Sequence, residues 1–159
     1  MTSRALTTYL NDHLAGSVTA LELLEHLPSL VRPGERDLLN GLRTEIREDQ
    51  QLLKELLEQL GEKESPMRKA AAWITEKLGE VKLKFDDPGG GELRALEALE
   101  ALGLGIQGKL ALWRALQTIS GTDSRLQAVD FGWLERRALD QFARVDRLRL
   151  QFARTALAP

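Results

Sequence analysis

The chain has 159 residues, no cysteine and a formal net charge of -2, with 43% apolar and 29% charged residues. This length and apolar content fit one domain with a buried core, and the near-balanced charge argues against nucleic acid or an acidic surface as partner. Without cysteine there are no disulfides, thiolate nucleophiles or zinc-thiolate sites. No stretch approaches the roughly 20 apolar residues that span a bilayer, and residues 1–10 lack the cationic start and apolar run of a secretory leader. The expectation is a cytoplasmic protein without membrane contact.

In chain order, the first helix is expected over residues 2–27, where Leu6, Leu10, His13 or Leu14, Ser17, Leu21 and Leu24 share a stripe and Pro28 ends it. A short connector rich in proline and glycine leads to a second helix over 36–60, with Leu39, Leu42, Ile46, Asp49, Leu53, Leu56 and Leu60 at alternating spacings of three and four. Ser65 and Pro66 read as an N-cap followed by a first-turn proline, opening a short helix over 66–79. That helix would bury Trp73, Ile74 and Leu78, which makes it the expected dimer or partner contact. Gly89 to Gly91 read as a hinge, since the lysine and hydroxyl residue of a phosphate-binding loop are missing.

A helix over 92–119 carries Leu96, Leu99, Gly103, Ile106, Leu110 and Trp113 on its stripe. Its middle holds three glycines, Gly103, Gly105 and Gly108, each costing about 1 kcal/mol relative to alanine in a helix interior. Close approach of a neighbour, a bulge or access for a bound group must offset that cost, and the last of these gives a third functional reading, behind the two set out below, in which Gly103–Gly108 open a small-ligand pocket. The last helix is expected over 129–157, on Phe131, Leu134, Ala138, Gln141, Val145, Leu148 and Phe152. Its arginines read as a solvated, ion-paired face, able to attract the glutamate-rich second helix or a second subunit.

Four polar residues interrupt the apolar stripes: His13, Asp49, Gln107 and Gln141. Counted from turns near Val31 and Ser124, His13 lies level with Asp49 and Gln107 level with Gln141, because antiparallel helices rise equally at about 1.5 Å per residue. A buried polar layer is expected there, with His13 and Asp49 as a hydrogen-bonded pair and the two glutamines joined to each other. The alternative is a metal site of His13, Asp49, Glu45 and Glu100, holding iron or manganese for oxygen or peroxide chemistry. The leading expectation carries no cofactor.

Two long helical hairpins joined by about thirty residues resemble the ferritin-like superfamily, in which a four-helix bundle has a long crossover between its second and third helices. The resemblance implies an all-α, up-down-down-up bundle with a short extra helix in the crossover, although a five-helix up-and-down bundle would use the same helices. Catalytic members take a Glu from each of two helices and Glu-x-x-His from each of the other two. Neither Glu-x-x-His is present here: the second helix offers Glu45, Glu48 and Asp49, and the last offers Glu135, Asp140 and Gln141. The di-iron chemistry is therefore not carried over. The expectation is a homodimeric, non-catalytic binding or structural protein, with a stress-related role implied by the resemblance alone.

Overall fold

The computed structural model describes residues 4–61 and 91–158. All regular structure among them is helical: α1 (Arg4–His26), α2 (Pro33–Gln59), α3 (Gly91–Ile119) and α4 (Phe131–Leu157). The expected helix over 66–79, the crossover and the glycines at 89 and 90 lie outside the described residues. Among the described residues, no helix is long and apolar enough to cross a membrane.

Local chemistry sets the helix ends. Pro28 falls in a 3-10 turn, Leu27–Ser29, closed by the Leu30 N–H donating to the Leu27 carbonyl at 2.9 Å. The second helix starts at Pro33 rather than at residue 36, because proline's fixed φ suits the first helical turn and its missing N–H is not needed there. The Glu35 carboxylate accepts from the Arg32 N–H at 3.0 Å and so secures that start. Gly61 closes α2 with φ +77°, a left-handed conformation that glycine adopts without steric cost. At α4 the start moves from residue 129 to Phe131, because the Asp130 carboxylate caps the helix by accepting from the Trp133 N–H at 2.8 Å.

The four stripes meet in two apolar clusters. One gathers residues 20–24 of α1, Leu27 and Val31 from the α1–α2 connection, 39–46 of α2, 95–106 of α3 and 145–152 of α4. The other gathers Leu10 and Leu14, residues 53–60, 112–116 and 131–138, and Leu126 from the α3–α4 connection. Both clusters draw on all four helices, so each helix leaves one short stretch between its two contributions: 14–20, 46–53, 106–112 and 138–145. Asp49, Lys109 and Gln141 fall in three of these stretches.

Candidate functional site

Lys109 is the residue that organises the middle of the bundle. Its ammonium donates to Asp49 Oδ2 and to Gln141 Oε1, joining α3 to α2 and α4 through one nitrogen. Only 15% of the Lys109 side chain and 4% of the Asp49 side chain are exposed, and Gln141 is fully buried. The Gln141 amide donates to Glu45 Oε2 at 2.9 Å and more distantly to Asp49. Glu45 also accepts from Arg144 at 2.5 Å. Arg137 donates to Glu48 and to the Glu45 carbonyl, each at 2.6 Å, and its Nε stands 3.8 Å from Asp49 Oδ1. The cluster thus sets Lys109, Arg137 and Arg144 against Glu45, Glu48 and Asp49.

Desolvation sets the protonation behaviour of this cluster. Burial pushes the Lys109 ammonium below the usual lysine range, while the charge and hydrogen bond of Asp49 oppose that shift. Burial alone would raise Glu45, but hydrogen bonds from Arg144 and Gln141 and the charges of Arg144 and Arg137 hold it below the usual carboxylate range. Burying the Lys109 and Asp49 charges is costly, and their pairing offsets part of that cost, although Asp49 Oδ1 and Arg137 Nε make no hydrogen bond.

Beside the cluster lies a cavity of about 190 Å³ between α1, α2 and α3. Ile46, Leu53, Ile106, Leu112 and Trp113 give it apolar walls, while Asp12, His13, Asp49 and Lys109 line it as polar or charged groups. Gly16, Gly105 and Gly108 also face it, and a Cβ built on any of them would meet nothing within 4 Å. The three glycines of α3 therefore do two different things. Gly103 is buried, and a Cβ there would lie 3.5 Å from the Phe142 ring, so it serves helix packing; Gly105 and Gly108 leave open space. The helix runs through all three without interruption.

The four residues expected to form one layer take different places. Asp49 and Gln141 are buried and meet, with Lys109 between them. Gln107 is exposed and lines an outer groove with Leu104, Phe142 and Arg149, so its expected pairing with Gln141 does not form; Lys109, two residues on, takes that place. The reason is rotation: Leu99, Leu102, Ile106, Lys109, Trp113 and Leu116 follow a three-four repeat, and Gln107 falls outside it. His13 is half-buried on the cavity wall and packs edge-on against Tyr9, with ring centroids 4.6 Å apart. Its expected hydrogen bond to Asp49 is absent among the described residues. Burial lowers the His13 pKa and outweighs the opposing charge of Asp12, which favours the neutral ring.

The four ligands of the alternative metal site are not brought together. Glu100 pairs with Arg149 at 3.3 Å in the outer groove, away from the cavity, and Glu45 and Asp49 are engaged by Arg144 and Lys109. Among the described residues, no three His, Cys, Asp or Glu side chains form a group able to hold a metal ion. Two of the three tryptophans are described. Trp113 is core, and Trp133 is exposed with the Arg137 guanidinium 4.9 Å over its ring. The arginine face of α4 is only partly solvated, since Arg137 and Arg144 reach across to α2.

Sequence reasoning missed Lys109, and with it Asn11, a buried polar residue of α1 whose amide donates to the Thr7 carbonyl at 2.9 Å. A lysine is read by default as surface, because so few are buried. Its position on the Ile106 and Trp113 stripe was the available signal. Compared with protein-family models, curated proteins and solved structures, the chain matches none.

Proposed function

We propose that this chain is a non-catalytic helical bundle that binds a small organic molecule in the cavity beside Lys109. The observation that carries this reading is the cavity itself: about 190 Å³, opening to solvent beside Asp12, Gly16 and Gly105, with apolar walls and charged groups at one side. Ligand sites have this character, mostly apolar with a few placed polar groups. An engineered apolar cavity of about 150 Å³ in another protein is enough to bind benzene. Two glycines in mid-helix at Gly105 and Gly108 keep the space open at a cost in helix stability.

The charge cluster has a complementary role in this reading. It fixes the register of α2, α3 and α4 around the cavity, because any slip would strand buried charges. We also read the helices as running up, down, down and up, as in the ferritin-like resemblance. The sharing of the two apolar clusters supports it: the cluster that takes the end of α1 and the first half of α2 also takes the first half of α3 and the end of α4.

The test is ligand-observed NMR against a panel of ring-sized organic molecules, with Gly108→Leu as control. Gly108 lines the cavity and a Cβ there meets nothing within 4 Å, so a leucine at this position is chosen to occupy cavity space. Saturable binding to the native chain that disappears in the variant is the expected outcome. No saturable binding, or binding that survives Gly108→Leu, would overturn the proposal.

A further inference from the structure

Among the described residues nine large apolar side chains are exposed, and five of them are leucines of α3 and α4: Leu93, Leu104, Leu139, Leu150 and Leu157. The second helix contributes none. Leu93 and Leu104 stand three helical turns apart and so share a face of α3, and the turn spacing puts Leu139, Leu150 and Leu157 on one face of α4. Both faces border the outer groove, whose walls include Glu100, Leu104, Phe142 and Asp146. Leu104 and Leu157 are 69% and 66% exposed, and a contiguous apolar patch of this kind marks an interaction surface.

The charges of this surface are sorted by helix. The start of α3 presents Glu97 and Glu100, while the end of α4 presents Arg147, Arg149 and Arg154 with one acid, Asp146. Arg149 is held by Glu100 and Asp146. Glu97, Arg147 and Arg154 are exposed and make no ion pair among the described residues, whereas Arg137 and Arg144, which turn toward α2, are paired. Three carboxylates thus stand beside three guanidinium groups. An anionic membrane attracts a surplus of cations, and this surface has none. It matches a partner whose acids and bases are sorted in the same way, and a second copy of the chain is such a partner.

The register of the two helices makes the match possible. Glu100 pairs with Arg149 at 3.3 Å and Arg114 with Glu135 at 2.6 Å, so the antiparallel helices set the start of α3 level with the end of α4. We infer that two copies pack through their α3–α4 faces about a two-fold axis parallel to the helices, with the start of α3 in each seated on the end of α4 in the other. That rotation keeps every residue at its own level and exchanges the two helices. Leu93 then comes onto Leu157 of the other copy, Leu104 onto the stretch between Leu139 and Leu150, and Glu97 between Arg147 and Arg154. Each contact is made twice, as in any two-fold interface. Seating α4 on α4 would set arginine against arginine, and like charges across an interface weaken it. The inference is independent of the cavity, which opens on the α1 side of α3.

Size-exclusion chromatography with light scattering on the full chain at micromolar concentration tests it, with Glu97→Arg, Arg154→Glu and the two together. The native chain is expected at about twice the 17.8 kDa of one copy. Either single reversal is expected to raise the dimer dissociation constant by about tenfold or more, because it sets like charges together twice, and the double reversal is expected to restore the native value. Both positions are exposed, so circular dichroism should show the same helix content in all four proteins. A monomeric native chain, a dimer indifferent to both single reversals, or a double variant no tighter than the singles would overturn the proposal. A monomer that co-sediments with phosphatidylserine vesicles would also overturn it, and would assign the face to a membrane surface.

Discussion

Lys109 places an ammonium where the neighbouring turns of α3 place Ile106 and Trp113, and its cost is offset chiefly by Asp49, with the Gln141 oxygen and the Glu45 charge adding to it. Removing one partner of such a pair leaves the other buried and uncompensated, which costs about 3–5 kcal/mol, whereas replacing both with apolar residues is often neutral. Lys109→Met should therefore lower the urea midpoint sharply, and the double variant Lys109→Met with Asp49→Leu should recover most of the loss. A double variant no more stable than the single one would show that the pair is not a unit. His13 and Glu45 make the acid side of the stability curve testable. His13 has a folded pKa below its unfolded value near 6.5, so the unfolded chain takes up that proton first, and stability falls as pH drops below about 6.5. Glu45 is also depressed, so its contribution is present above about pH 4.3 and is lost as pH falls through its lower folded value. Denaturant melts from pH 7 to 3 should show both phases, with the upper one missing in His13→Gln and the lower one reduced in Glu45→Gln, where Asp123, also held below the usual carboxylate range by Arg125, still contributes.

At the scale of the helix, α3 shows how much the sequence disclosed. The apolar stripes of α2 and α4 are regular enough for each helix and its core face to be read directly, because apolar residues recur at three-four spacing and few positions compete; in α1 the helix was legible but its face was not, since Ser17 and Leu21 are half-buried while Thr7, Asn11 and Ala15 are buried. In α3 apolar residues lie almost all round, and alanine and glycine fill several positions, so two stripes one residue apart fit the sequence equally well. The stripe through Leu96, Gly103 and Leu110 left Lys109 outside; the structure buries Leu96 and Gly103 and leaves Leu110 half-buried, and it buries Leu102 and Leu116 as well, the turns between which Lys109 sits. The same ambiguity left three explanations open for the glycines. Gly103 answers to a neighbour's approach, while Gly105 and Gly108 answer to open space. Gly105→Ala should thus stabilise the protein by up to about 1 kcal/mol, the helix-propensity gain with no clash to offset it, read as a rise of a few degrees in Tm. A loss of stability would mean that Gly105 is needed for a backbone approach.

Across the whole molecule, the two apolar clusters account for the fold and the stretch between them for the site. Each cluster is built like an ordinary bundle core, with leucines dominating and each helix contributing. Between them the bundle trades apolar contact for a charge cluster on the α2, α3 and α4 side and for a cavity on the α1 side. Counting from a short turn levels the two helices of one hairpin, His13 with Asp49 and Gln107 with Gln141, whereas the meeting of Asp49 with Gln141 is a contact between hairpins that such counting does not fix. The cavity was not legible either, because an unfilled volume is the sum of small deviations at Gly16, Gly105 and Gly108 that no single residue announces. The central claim is that this cavity is a ligand site, and the most direct measurement is an amide-resolved NMR titration of the isotope-labelled protein with phenol. Saturable shifts centred on the amides of Gly16, Gly105, Gly108 and Lys109 are the expected result. Shifts that never saturate, or that centre on Leu104 and Gln107 in the outer groove, would contradict it.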